Sequence, residues 1–123
     1  MEDFEGKRVY AQYTNFSLAS EQDYFQLTVG TYTGDAGDSL SLHNGRNFTT
    51  KDVDLDTWAG DNCAHEFFGA WWYFDCHQSN LNGLYLRGHH AKYGIGVNWL
   101  SFRGYRYSLK YTAMKIRPSP RIY

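Results

Sequence analysis

Residues 51–83 read KDVDLDTWAGDNCAHEFFGAWWYFDCHQSNLNG. This stretch holds both cysteines, Cys63 and Cys76, with the acidic alternation Asp52, Asp54, Asp56 on one side of them and an Asn-rich turn on the other. Trp71-Trp72-Tyr73 lies within it and predicts core, because an exposed pair of indoles would form a large adhesive patch. Twelve residues separate the cysteines, so a loop disulfide between them is geometrically reasonable. Closing that loop would stabilise the fold by roughly 3 kcal/mol on the chain-entropy estimate. Clustered carboxylates suit calcium, which takes oxygen ligands. The spacing is not that of an EF-hand: counted from Asp52, the sixth residue is Thr57 and the twelfth is Cys63. Two readings therefore stand, a solvated acidic turn and an irregular calcium loop.

The remainder of the chain sets the frame. Its 123 residues suit one small domain. Twelve basic and 13 acidic residues leave no basic field, which argues against a nucleic-acid partner. No apolar run approaches a bilayer span, and MEDFEGKRVY is too polar for a signal peptide, so an extracellular protein would be a mature piece. Eleven Tyr, 8 Phe and 4 Trp predict a core of rings whose polar ends find partners.

In chain order, residues 3–18 read as a strand pair or one long strand. Residues 24–30 alternate, with Phe25, Leu27 and Val29 on one face, and predict a strand. Asp38 or Ser39 would cap a helical turn through Leu42. Leu84 to Leu86, Val97 to Phe102 and Tyr107 to Ile116 predict strands, the last with a bulge near Ala113. Arg117-Pro118-Ser119-Pro120 should end the domain, with Arg121 in the tail. Asn15-Phe16-Ser17 and Asn47-Phe48-Thr49 are glycosylation sequons on Asn15 and Asn47. His89-His90 could bind a metal, but adjacent loop histidines are more often solvated.

GDSLSLHNGRNFTTKDVDLD, NCA, GAWWYFDCHQSNLNGLYL, GVNW and YSLKYTAMKIRPS together resemble the fibrinogen C-terminal domain family. The nearest likeness is its acetyl-recognising branch of ficolins, tachylectins and a chitin-binding receptor. The resemblance covers essentially the whole chain. It implies an α+β fold with a short twisted antiparallel sheet, few short helices and a loop-rich ligand region. Complete family domains are longer, so residues 1–123 would be a partial domain, the C-terminal half or somewhat more.

The resemblance also implies a site, residue by residue. Calcium would take carboxylates from Asp54 and Asp56 and backbone carbonyls near Trp58 and Gly60 or Asp61, although this loop is one residue longer than usual. The disulfide would be Cys63–Cys76, preceded by a cis peptide at Asp75-Cys76. The acetyl pocket would fall on Phe67, Asp75, Cys76, His77, Tyr93, Gly94 and Tyr105. Aromatic rings would cup the methyl group, while backbone N–H groups and His77 would donate to the carbonyl. Asp75 stands where an Asn is common in the family, Phe67 lacks a hydroxyl that some relatives carry, and Tyr105 stands where some have Trp.

The function so implied is extracellular, calcium-dependent recognition of acetylated carbohydrates, with oligomerisation through regions outside this chain. The alternative is a receptor- or matrix-binding domain of the tenascin or angiopoietin kind. No GxSxG, HExxH or free Cys-His pair points to an enzyme.

Overall fold

Trp71, Trp72 and Tyr73 are each no more than 6% exposed, and the elements of the fold gather around them. A buried ring with a polar end needs a partner for that end. Trp71 Nε1 donates to Ser79 Oγ at 3.2 Å, Trp72 Nε1 to the Phe25 carbonyl at 3.0 Å, and the Tyr73 hydroxyl to Asn80 Oδ1. Phe16 and Phe48 pack edge-on against Trp72, extending the cluster toward the surface. Leu27, Leu109, Tyr107 and Trp99 complete the interior.

The computed structural model describes residues 1–118. Regular structure is sparse. Strands β1 (Ala11–Tyr13) and β4 (Tyr32–Gly34) pair antiparallel, as do β2 (Ser17–Leu18) and β3 (Leu27–Thr28). Farther along, β5 (Ser79–Asn80) pairs with β7 (Asn98–Trp99), and β6 (Gly88–His89) with β8 (Tyr107–Ser108). The antiparallel β-structure is thus four short ladders held by the aromatic core, with two helices, α1 (Cys63–Phe67) and α2 (Leu100–Arg103). No helix among the described residues is long and apolar enough to cross a membrane.

Several expected strands are shorter than their patterns. Over residues 24–30 only Leu27–Thr28 is strand. Tyr24 and Phe25 have φ of 58° and 54°, so the chain turns sharply there and Phe25 ends up exposed while Leu27 and Val29 are buried. Left-handed backbone breaks a ladder whatever the side-chain alternation says. Within Val97 to Phe102 only Asn98 and Trp99 are strand, because the chain turns into α2 after Trp99. Leu84 makes a single parallel bridge to Gly96. Residues 107–116 begin as β8 and add one bridge, Tyr111 to Glu2; no ladder spans Ala113, so no bulge is needed. The expected helical turn is present as a 3-10 turn over Ser41–His43, with Asp38 Oδ1 accepting from the Leu40 and Ser41 N–H groups. Ser119, Pro120 and Arg121 lie outside the described residues.

The first and last described portions of the chain are clamped together. Arg103 Nη1 donates to Asp3 Oδ2 at 2.8 Å and Glu5 Oε2 at 2.9 Å, and its guanidinium lies 3.9 Å from the Tyr107 ring centre.

Candidate functional site

Helix α1 positions the first wall of the site. Asn62 caps it, its Oδ1 accepting from Ala64 N at 2.8 Å, while Asn62 Nδ2 donates to the Thr50 carbonyl at 2.8 Å. One side chain thus ties the start of the acidic loop to the start of the helix. The helix ends at Phe68, whose φ of 59° turns the chain away and leaves Phe67 at the rim of a hollow.

That hollow encloses about 170 Å³. Phe67, Asp75, Cys76, His77, Tyr93 and Tyr105 line it, together with Leu42, Phe74 and Gln78. Gly94 is not itself a wall residue but supports the wall. A Cβ there would stand 2.9 Å from Phe67 Cε1 and 3.2 Å from His77 Nε2, and the φ of +74° already disfavours a side chain. The structure therefore brings together all seven residues expected at the acetyl pocket.

The turn between the walls contains the cis Asp75–Cys76 peptide and the Cys63–Cys76 disulfide, with Cα atoms 5.7 Å apart. Phe74 N donates to the Cys76 carbonyl at 2.8 Å across this turn. Among the described residues the Cys76 and His77 N–H groups donate to no protein acceptor. Both belong to residues that line the hollow.

The His77 ring is not a free donor, contrary to expectation. Its Nε2 meets the Gly94 carbonyl at 3.0 Å, and a carbonyl only accepts, so Nε2 carries the proton. Burial pushes the imidazole down to about pH 4 against the pull of that carbonyl, so the ring is neutral at pH 7. Nδ1 is buried without a partner. His77 thus shapes the hollow through its ring faces, edge-on to Phe67 and Tyr105 at 5.0 and 5.5 Å. The Tyr105 hydroxyl donates to the His77 carbonyl at 2.9 Å, and burial, followed by Tyr93, pushes it up to about 12.

Two side chains hold this geometry: His43, which the sequence did not single out, and Asn80, which its turn position marked as a partner for backbone groups. His43 is fully buried, with Nδ1 2.7 Å from the Trp72 carbonyl and Nε2 accepting from Gln78 N at 3.1 Å and Ser79 N at 3.3 Å. It braces both ends of the turn, and burial pushes it down to about pH 4. Asn80 Nδ2 lies 3.1 Å from the Phe67 carbonyl, 3.2 Å from that of Gly94 and 3.3 Å from that of Gly96. Asn82, by contrast, serves its own neighbourhood, donating to the Ala70 carbonyl. The only sequence signal for His43 was a polar residue beside a turn, whereas Asn80 and Asn82 in the Asn-rich turn read as partners for backbone groups, and both are.

The acidic loop is built differently. Asp56 Oδ1 accepts from Trp58 N at 3.0 Å and Oδ2 from Cys63 N at 2.8 Å, so its carboxylate is fixed toward the disulfide. Asp54 Oδ1 accepts from Asp56 N at 3.3 Å. Burial, and then the neighbouring charge of Asp54, push the Asp56 carboxyl up. Trp58 packs over Gly60, where a Cβ would meet the indole at 2.7 Å. No cluster of three or more His, Cys, Asp or Glu side chains that could hold a metal occurs among the described residues. The donor set is instead two carboxylates in mutual repulsion beside exposed backbone, which fits a hard cation completed by carbonyls. His89 and His90 do not converge: His90 Nδ1 is bonded to the Lys92 carbonyl, while His89 packs edge-on against Tyr107. Asn15 is exposed with φ 55°, and Asn47 is half-buried.

The family model described as fibrinogen beta and gamma chains, C-terminal globular domain, matches residues 1–119. The chain belongs to the fibrinogen C-terminal family. Fibrinogen C domain-containing protein 1 of Xenopus tropicalis is 54% identical over 96% of this chain, which covers 27% of that relative. Ryncolin-4 of Cerberus rynchops is 53% identical over 94%, which covers 34% of its length. The chain therefore spans about a quarter to a third of these curated relatives. Among solved fibrinogen-like structures, the globe domain of human ANGPTL2 superposes with a TM-score of 0.86 at 51% identity, covering 89% of this chain and 51% of that one. Lamprey fibrin D-dimer, complexed with Gly-His-Arg-Pro-amide, superposes with a TM-score of 0.82 at 31% identity, covering 89% and 40%.

Proposed function

We propose that this fibrinogen C-terminal chain is an extracellular recognition module for acetylated carbohydrates, with calcium bound at the acidic loop. One observation carries the reading: a small aromatic-walled hollow with the unpartnered Cys76 and His77 N–H groups at the turn beside it. An acetamide offers a methyl group for the rings and a carbonyl oxygen for two N–H donors. Asp54 and Asp56 would hold calcium with carbonyls at Trp58 and Gly60. When bound, the ion would neutralise the carboxylate pair and fix the loop that Asp56 ties to Cys63. The disulfide and the Asn15 and Asn47 sequons agree with an oxidising, secretory setting. Single hollows of this size bind weakly, so avidity would come from oligomers assembled through other regions.

A second reading, docking to a cell-surface or matrix protein, has its own support. A larger and mostly apolar hollow of about 280 Å³ lies among Tyr24, Phe25, Phe48, Val53 and Leu55. The likeness to angiopoietin-like globes and to a fibrin bound to a peptide also favours it.

Capture on immobilised N-acetylglucosamine separates the two. Binding with calcium, lost to chelator and competed by free acetate, is the expected result. Folded protein that is not captured would remove the sugar reading and leave the protein-docking one.

A further inference from the structure

Two consecutive aromatic residues sit in backbone that L side chains rarely adopt. Tyr24 and Phe25 have φ of 58° and 54°. Left-handed backbone is unfavourable for any residue with a Cβ, and it persists only where the surroundings enforce it. Here three hydrogen bonds do so. Phe25 N donates to the Ser20 carbonyl at 3.1 Å and Phe48 N to the Tyr24 carbonyl at 3.0 Å, while Trp72 Nε1 holds the Phe25 carbonyl. The strain keeps both rings out of the core, 52% and 44% exposed.

These rings form one wall of the hollow of about 280 Å³. Phe48 lines it too, and its ring is fixed edge-on to Trp72. Thr50, Val53 and Leu55 of the acidic loop supply the rest of the apolar lining, while Asp52, Asp54 and Asp56 do not line it. Glu21 is the one charged residue that lines this hollow. It is exposed and forms no ion pair among the described residues. The basic residues that flank the lining in sequence are turned elsewhere: Arg46 lies over the Phe74 ring and Lys51 over the Phe68 ring. This hollow shares no residue with the one around His77.

We infer that the second hollow docks a protein segment in which a large apolar side chain stands next to a lysine or arginine. The apolar side chain fills the space between Phe25, Phe48 and Leu55, and the cation pairs with Glu21. Rigid aromatic walls around a single unpaired carboxylate complement that pair of side chains. The inference rests on the protein-docking reading above and names the chemistry of its partner. It is independent of the acetyl reading.

The test is an NMR titration of the folded protein in calcium with excess acetate, which occupies the other hollow. The probes are the peptide Gly-Ser-Phe-Arg-Ser-Gly and its Phe-Gln, Phe-Glu and Ala-Arg counterparts. Phe-Arg should shift the signals of Tyr24, Phe25, Phe48, Val53 and Leu55. At low salt it should bind about two- to fivefold more tightly than Phe-Gln, the range of one exposed ion pair. Phe-Glu should bind more weakly than either, and Ala-Arg should not bind. Glu21→Gln should erase the preference for Phe-Arg over Phe-Gln. Phe25→Gly should abolish binding while the protein still folds by urea titration, because glycine adopts this φ without strain. Equal binding of Phe-Arg and Phe-Gln overturns the basic specification and leaves the docking reading intact. Shifts confined to Phe67, Tyr93 and Tyr105, or no shift with any peptide, overturn docking in this hollow and the inference with it.

Discussion

The hollow and the acidic loop adjoin each other, yet they are stabilised by opposite means. The hollow is locked from below by neutral buried groups: His43, His77 and Asn80 satisfy carbonyls and N–H groups from several separate stretches of chain. The acidic loop is held by its own carboxylates, folded back on nearby N–H groups near the surface, with two like charges brought close. A neutral buried network needs no counterion, even with His77 Nδ1 unpartnered, whereas paired carboxylates await one. The difference predicts that the hollow is preformed by the protein and that calcium acts on the loop.

Acidification should break the hollow first and most severely. Both His43 and His77 have folded-state values depressed to about 4 by burial, below the ordinary 6.5. The unfolded chain therefore binds more protons between about pH 6.5 and pH 4. Stability should be full above that window and fall through it, by roughly 3 kcal/mol for each histidine once both are charged. Urea titrations at pH 7.5 and pH 4.5 measure this, and an unchanged midpoint would mean that these rings are not buried in neutral form.

Asn80→Ala sharpens the same contrast. It strands the Tyr73 hydroxyl and the Phe67 and Gly96 carbonyls, and leaves the Gly94 carbonyl only its bond from His77. The expected cost is about 3 kcal/mol in urea, because buried groups left unpaired forfeit their solvation. A loss under about 1 kcal/mol would show that the network can be broken without consequence.

The smallest effect on stability should come from the loop. Asp54→Asn removes one charge from the proposed cation shell while Asp54 is exposed and makes one long bond. Without calcium, stability should shift by less than about 0.5 kcal/mol. Calcium affinity should fall on the order of tenfold, and sugar capture with it. Unchanged calcium affinity in calorimetry would place the ion elsewhere.

The same contrast explains what could be read from the sequence. Phe67, Asp75, Cys76 and His77 lie in a specific family run, and they converge with Tyr93 and Tyr105 from outside it. The burial of Trp71-Trp72-Tyr73 and the Cys63–Cys76 crosslink followed from residue type and spacing. The braces did not. His43 reaches the turn across 35 and 36 residues of sequence, and no local pattern marks a histidine whose partners are that distant. The strand expected at residues 24–30 failed at Tyr24 and Phe25, where aromatic residues adopt left-handed backbone that alternation cannot reveal. The donor role expected of the His77 ring failed because its one proton is spent on the Gly94 carbonyl, a contact set by tertiary packing.

The link between Cys63 and Cys76 joins the helix that supports the loop to the turn that bears the free N–H groups. Thiols in the surroundings would part the two without touching either set of contacts. Recognition would then depend on where the molecule is as much as on what it meets: armed among oxidants, and disarmed wherever glutathione prevails.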